Sequence, residues 1–407
     1  MRVLLSTYGS RGDVEPVLGL AVRLRELGAQ VRVCAPPDFA ERVAGAGVEM
    51  VPVGLSASEL TKARPPVSEF PRFAAELIGH QFKGVLDAAR DCDAMVVTGM
   101  LPMIAGALSV AEKLGIYAAS VVFQKLSLPS PHHRPMAYPG HPFPPEVTDN
   151  RELWKLNAQT VNKLFGDALN TNREANGLAP VANVQDYLHG DQQWLATDQV
   201  LDPWLPTPEL DVVQTGAWIL PHESPLPADL EAFLAAGPPP VYVGFGSMPM
   251  HAATDVAQVA IDAVRALGHR VVVLRGWAGL DLIDDRAECF AVGEVNQQAL
   301  FPRMAAIVHH GGAGTTTTAS RSGAPQVVLP QLADQPYWAG RVAELGIGAA
   351  HDGPAPTVES LTAGLRIALA PETRDRALAV AGTIRTDGAL VAAELLLETI
   401  KSHKARA

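Results

Sequence analysis

Cysteine is nearly absent from this chain: Cys34, Cys92 and Cys289 are the only three in 407 residues. An odd trio without C-x-x-C spacing excludes a disulfide framework and a thiolate zinc site, and it points to a reducing compartment. Charge is sparse too, at 18% of residues, and 32 Lys and Arg against 43 Asp and Glu leave a formal net charge of −11. Nucleic acid and anionic membranes both attract a basic surface, so neither is an expected partner. No apolar segment approaches the roughly 20 residues that a membrane helix needs. A signal-peptide pattern is also missing, because Met1 to Tyr8 has the look of a first strand and Asp13 and Glu15 follow at once. The expectation is a cytoplasmic protein with no membrane insertion and no metal site.

Apolar residues, in contrast, make up 48% of the chain, enough for large cores in about two domains. In the first half, Val3–Leu5, Val31–Val33, Met95–Val97 and Ala118–Phe123 have the continuous apolar character of buried parallel strands. Pro16–Leu27 and Ile104–Leu114 have helical periodicity between them. The second half repeats the scheme, with strands at Val241–Val243, Val271–Leu274, Cys289–Val292, Ile307–Val308 and Val327–Leu329. Helices are expected at Asp255–Leu267, Thr315–Ser322 and Trp338–Leu345. Such alternation predicts an α/β fold with two Rossmann-like doubly wound domains facing across a cleft. Six prolines between Leu201 and Pro227 mark the connection. The expected division is residues 1–203, a linker at 204–226, and residues 227–407. The tail, Ala389–Ser402, is an amphipathic helix counted with the second domain, although its apolar stripe suits either sheet.

The stretch most informative about chemistry is His309-His310-Gly311-Gly312-Ala313-Gly314-Thr315, directly after an apolar strand run. Its glycines allow a tight turn and close approach by a ligand. The helix that follows would direct free N–H groups and its dipole into that turn, which favours an anion, most simply a phosphate. His310 and Thr315 can each donate to phosphate oxygens, and Gly312 and Gly314 complete the cradle. Beyond the next strand run, Asp334-Gln335 lies on the same sheet edge, suited to the hydroxyls of a sugar. Ser247 ends Gly244-Phe245-Gly246 at another strand end and is a further phosphate contact. Trp277 and the backbone of Val295 are candidates for the nucleobase. In the first half, Ser10 and Asp13 lie in a glycine loop between the first strand and first helix. Asp13 there can serve as a general base or cap the helix, and Ser10 can position an acceptor or bond the backbone. His309 reads as a packed neighbour of the turn.

Gly9-Ser10-Arg11-Gly12-Asp13-Val14-Glu15-Pro16, Gln214-Thr215-Gly216-Ala217-Trp218, Val243-Gly244-Phe245-Gly246-Ser247 and the His309–Gln335 stretch resemble the inverting glycosyltransferases of the GT-B fold. They are similar to the branch that decorates vancomycin- and teicoplanin-type glycopeptide antibiotics. The resemblance covers nearly the whole chain and is weakest over Leu55–Phe82 and Leu126–Trp154, segments that face the acceptor in that fold. It implies metal-independent transfer of a sugar from a nucleotide-diphospho-sugar to a phenolic or sugar hydroxyl of the heptapeptide aglycone, with Asp13 as base. It implies that the N-terminal domain takes the acceptor and the C-terminal domain the nucleotide-sugar. Gly311-Gly312 and the Pro330–Gln335 run look like the members that use UDP-glucose; transfer from a dTDP-deoxysugar on the same scaffold is the alternative. Plant relatives have a base-stacking Trp where this chain has Gly293 and a ribose-binding Glu where it has Thr318, so their nucleotide contacts do not transfer.

Several aromatic residues, Phe70, Phe73, Phe82, Phe123, Phe143 and Trp154, are candidates for an acceptor wall or for core. Pro129–Pro145 is a lid or a binding segment. An aromatic polyketide is the alternative acceptor, and a non-catalytic nucleotide-sugar-binding partner is the alternative role. A nicotinamide dehydrogenase is disfavoured because G-x-G-x-x-G is missing after the first strand. A sugar-nucleotide epimerase shares the architecture but needs no acceptor pocket.

Overall fold

Continuous apolar runs build the strands at the middle of each sheet. The computed structural model describes residues 1–59, 69–190, 192–245, 256–275 and 287–406. Two compact units divide the chain: the first holds Met1–Asp198, Pro203–Leu220 and everything from Arg385, the second Gln199–Asp202 and Pro221–Ile384.

In the first unit, β1 (Arg2–Ser6), β2 (Gln30–Ala35), β3 (Glu49–Pro52), β4 (Ala94–Val97), β5 (Tyr117–Val122), β6 (Gln192–Leu195) and β7 (Asp211–Gln214) form one parallel sheet. Their order is β3-β2-β1-β4-β5-β6-β7, so the winding reverses between β1 and β4. Alternate residues of β1 serve opposite faces. Val3 and Leu5 join one apolar core, and Leu4 joins the other. The first core is closed by α1 (Arg11–Glu26), the second by α2 (Phe70–Ala89), α3 (Leu101–Leu114) and α4 (Asp167–Ala175).

Several expectations need correcting here. Helix α1 begins at Arg11, five residues before Pro16, because Ser10 caps it. The expected linker at 204–226 contains β7, an edge strand that its prolines disguised. Short strands β3 and β6 were also missed. The C-terminal helix, α8 (Gly388–Arg406), packs on α1 in the first unit and not with the second. Its Ala389, Ala392, Ala393, Leu396 and Ile400 complete the core around Val14, Leu18 and Ala21. Gly216, at φ +93, allows the close approach: a Cβ there would lie 3.0 Å from Gly388 Cα.

In the second unit, β8 (Val241–Val243), β9 (Val271–Leu274), β10 (Cys289–Val292), β11 (Ala306–His309), β12 (Gln326–Val328) and β13 (Gly348–Ala350) form another parallel sheet. The order is β10-β9-β8-β11-β12-β13, reversing between β8 and β11. Five of the six strands follow the sequence pattern, while Gly348-Ala349-Ala350 carries too little hydrophobicity to be seen in advance. Three helices matter for the site: α5 (Val256–Ala266), α6 (Ala313–Ser322) and α7 (Gln335–Glu344). Both α6 and α7 start two to three residues before the expected Thr315 and Trp338. Among the described residues no helix is long and apolar enough to cross a membrane.

Candidate active site

The first unit presents Ser10 and Asp13 where its sheet reverses direction. Thr7, Tyr8 and Gly9 leave β1, and α1 starts at once. Ser10 N–H donates to Asp13 Oδ2 at 2.7 Å, and Gly12 N–H donates to Ser10 Oγ at 3.2 Å, a reciprocal cap on the helix. Gly9 is required by this contact, since a Cβ on it would stand 2.2 Å from Asp13 Oδ2. The helix-capping role weighed for Asp13 is therefore real, and Asp13 is only partly buried while it performs it. The loop after β4 crosses beside it: Met100 N–H donates to Tyr8 O at 3.0 Å.

Sequence reasoning missed Tyr8. It is buried with Leu77 and Met103, and Phe73 packs beside them. Its hydroxyl donates to Leu55 O at 2.7 Å, and burial pushes its pKa up to about 12. An aromatic residue closing a strand end was the available signal.

Among the proposed acceptor aromatics, Phe82 and Trp154 are core residues, 4% and 6% exposed. Trp154 Nε1–H donates to His133 O at 3.0 Å, and Phe123 meets Trp218 edge-on with centroids 5.9 Å apart. His133 fixes the Pro129–Pro145 segment from inside. Its Nε2 bonds Leu128 O at 2.9 Å, and its ring lies edge-on to both Trp154 and Trp204. The segment is thus anchored along its first part. Phe143 lies farther along it, half-buried beside a surface hollow of ≈ 270 Å³ that Lys163 also lines. Phe70 and Phe73 are half-buried.

In the second unit, His310, Gly312, Gly314 and Thr315 follow β11 directly, at the point where that sheet reverses. Gly311 adopts φ +91. Its missing side chain is needed, because a Cβ would lie 2.7 Å from Val328 Cγ1 and 3.2 Å from Gln335 O. This close approach joins the ends of β11 and β12 to the first turn of α7. Gly312 is the N-cap of α6, with no side chain bonded over its first turn. The hydroxyls of Thr316, Thr317 and Thr318 bond back to the carbonyls of Gly312, Ala313 and Gly314 at 2.8–2.9 Å. No such bond is found for Thr315 among the described residues. His310 is buried at Nδ1 with no partner for that atom among the described residues, and burial lowers its pKa to about 4. The ring is therefore neutral near pH 7, a donor through one nitrogen only.

Asp334 stands at the N-cap position of α7 without a side-chain capping bond, and Trp338 Nε1–H donates to its Oδ2 at 2.7 Å. Burial raises the Asp334 carboxyl above its ordinary range, the Trp338 bond opposes that, and nearby Asp202 adds to it. Gln335 requires a correction: its Oε1 accepts from Gln331 N–H at 2.7 Å and Leu332 N–H at 3.1 Å. The acceptor expected to meet a sugar thus holds the loop before Asp334, in which Ala333 adopts φ 56. A non-glycine residue in that left-handed region stores strain, of the kind that gathers at ligand sites. Val295 follows β10, and the next residue, Asn296, caps a short helix and ties down His222 O and Ser224 O at 2.8 Å each. Ser247 and Trp277 lie outside the described residues.

Comparison with known proteins finds glycosyltransferases. Residues 3–121 match the glycosyltransferase family 28 N-terminal domain, and residues 258–389 match the erythromycin biosynthesis protein CIII-like C-terminal domain. The chain is 56% identical over 407 residues to glycosyltransferase GtfE of Amycolatopsis orientalis, covering 99% of both chains. It is 55% identical over 406 residues to the vancomycin aglycone glucosyltransferase of the same organism, again covering 99% of both. Among solved structures, the glycotransferase of kitacinnamycin superposes with a TM-score of 0.74 at 19% identity, covering 98% of this chain and 99% of that one.

Proposed function

The chain belongs to the glycosyltransferases of the GT-B fold that include the vancomycin aglycone glucosyltransferase, and from that premise we propose that it glycosylates a vancomycin-type heptapeptide aglycone. The observation that carries this reading is the 55% identity to that enzyme across the full length. UDP-glucose is the favoured donor, as the intact Gly311-Gly312 turn and the Pro330–Gln335 run suggest.

The reaction is a single displacement. An oxygen lone pair of the acceptor attacks the anomeric carbon on the face opposite the diphosphate. As it does so the acceptor O–H bond breaks, and its proton goes to the Asp13 carboxylate. The bond from that carbon to the phosphate oxygen breaks, its electron pair leaves with the nucleoside diphosphate, and configuration inverts. A phenol (pKa about 10) becomes acidic to a carboxylate only as attack proceeds, so the base is matched to a late proton transfer.

Charge builds on the leaving diphosphate. The free N–H groups and dipole of α6, the Thr315 hydroxyl and a neutral His310 are suited to stabilising it without a metal ion. Asp334 would accept bonds from the sugar hydroxyls, and Gln335 would offer only its Nε2 donor. Ser247 is proposed for the phosphates, and Trp277 with the Val295 backbone for the base.

The test is incubation with a vancomycin-type aglycone and a panel of UDP- and dTDP-sugars, read by mass spectrometry. A hexose transferred from UDP alone supports the whole reading. A deoxysugar taken only from dTDP replaces the donor. Absence of any product despite nucleotide binding defeats the acceptor assignment.

A further inference from the structure

A row of polar groups runs unexposed from the glycine turn into α6. Gly311 N–H donates to His309 Nδ1 at 3.1 Å, and His309 Nε2 bonds Gln326 Oε1 at 2.9 Å. Gln326 Nε2–H donates to Ser320 Oγ at 2.9 Å, and the Ser320 hydroxyl donates to Thr316 O at 2.8 Å. His309, Gln326 and Thr316 are fully buried and Ser320 nearly so.

The direction of each bond follows from the first. A backbone amide only donates, so Nδ1 must carry the lone pair and the ring proton must be on Nε2. The Gln326 amide is then oriented with its oxygen toward His309 and its nitrogen toward Ser320. Neither His309 nitrogen is left for a ligand. Apolar residues at the end of β11 and the start of β12 would fill the same space without the cost of burying polar groups. What the polar row supplies is an acceptor for Gly311 N–H at the one turn residue with φ +91.

We infer that His309 is a positioning residue for the donor diphosphate: its Nδ1 lone pair holds Gly311 N–H, and so sets the turn that carries His310 and the first turn of α6. The inference rests on the donor-site reading above. It differs from that reading in giving no phosphate contact to His309.

Two amides separate the ring's two roles. His309→Asn offers Oδ1 where Nδ1 was, keeping an acceptor for Gly311 and losing Gln326. His309→Gln keeps a donor toward Gln326 and loses Gly311. Binding of UDP, dTDP and inorganic pyrophosphate is measured by calorimetry, with thermal unfolding followed alongside. An unsatisfied buried donor in the turn should weaken diphosphate binding by roughly tenfold or more in His309→Gln. His309→Asn should stay close to wild type, and the donor KM of His309→Gln should rise more than its kcat falls.

If the asparagine and glutamine variants bind equally, whether well or badly, the inference falls alone. Wild type that binds none of the three probes defeats the donor-site reading and this inference together. Should His309→Gln fail to fold, the double variant His309→Phe with Gln326→Met removes the acceptor for Gly311 N–H without leaving a buried Gln326 amide unpaired. Weakened diphosphate binding in that folded variant is expected, and unchanged binding would overturn the inference.

Discussion

Asp13 and Ser10 hold one another at the first turn of α1: Oδ2 of Asp13 accepts from the Ser10 backbone at 2.7 Å while Ser10 Oγ accepts from Gly12 at 3.2 Å. The proposed base is thereby also a helix cap. The cap fixes where the carboxylate stands, and it makes a simple alanine substitution ambiguous.

Asparagine resolves the ambiguity. Asp13→Asn keeps an oxygen for Ser10 N–H and abolishes the base, whereas Asp13→Ala removes both. Turnover should fall by roughly 10²-fold or more in each, the range for loss of a general base. Only Asp13→Ala should also lose about 1 kcal/mol of stability, the usual worth of a cap. UDP affinity should not change in either. An asparagine variant with near wild-type turnover would remove Asp13 from the chemistry and leave it as a cap.

His310→Ala tests the cradle itself. Removing a donor from a neutral ring should weaken UDP binding by about 1 kcal/mol, or several-fold, in calorimetry. Added chelator should change neither binding nor turnover, because the proposed site balances the diphosphate charge with N–H groups. Loss of activity with chelator would expose a metal requirement.

How far the sequence foretold this arrangement depends on the kind of signal. The turn after β11, with Gly311 in it and the start of α6 just beyond, was legible because glycine spacing and the end of an apolar run dictate where a backbone can turn. Strands β3, β7 and β13 were not: β3 ends in Pro, β13 is Gly and Ala, and β7 is two valines between polar residues in a proline-rich stretch, so none has the apolar run that marks β1 or β11. The tail was legible as a helix but not as a partner of α1; an apolar stripe states that a face is buried and not against what. Gln335 shows a third limit. Residue type identified a polar group near the site, yet only the fold reveals that its oxygen is taken by Gln331 and Leu332.

Trp338→Phe should act on the sugar and not on the diphosphate. Phenylalanine fills most of the buried volume but cannot donate to Asp334 Oδ2. That bond is what opposes the burial-driven rise in the Asp334 pKa, so its loss should raise the pKa further. Donor-sugar KM should therefore increase, with the increase growing as pH falls toward the carboxylate range, while UDP affinity holds. Equal weakening of UDP and the sugar nucleotide would contradict the assignment of Asp334 to the sugar.

Leu396→Ala places the tail energetically. Leu396 is fully buried in the core shared with α1, and such truncations cost about 2–5 kcal/mol. Hydrogen exchange on the full-length variant should accelerate in β1 and β2 and spare β8 and β11. Acceleration confined to the second unit would mean that α8 belongs there after all.

Glu15 offers a pH-dependent prediction independent of catalysis. It accepts two bonds from Arg42, at 2.7 and 2.8 Å, and one from Arg11 at 3.0 Å. Burial alone would raise its carboxyl, but the two arginines outweigh that and hold it below the ordinary range. A carboxylate depressed in the folded state stabilises the fold above its unfolded pKa, about 4.3, and that stability is lost as pH falls through the lower folded value. Glu15→Gln should therefore be less stable than wild type by about 1 kcal/mol at neutral pH, a modest figure because the pair is partly exposed. The gap should stay constant down to about pH 5, narrow below pH 4.3, and vanish in stronger acid. Urea melts across that range measure it directly. A gap that persists unchanged into acid would show that Glu15 contributes by packing and not by charge.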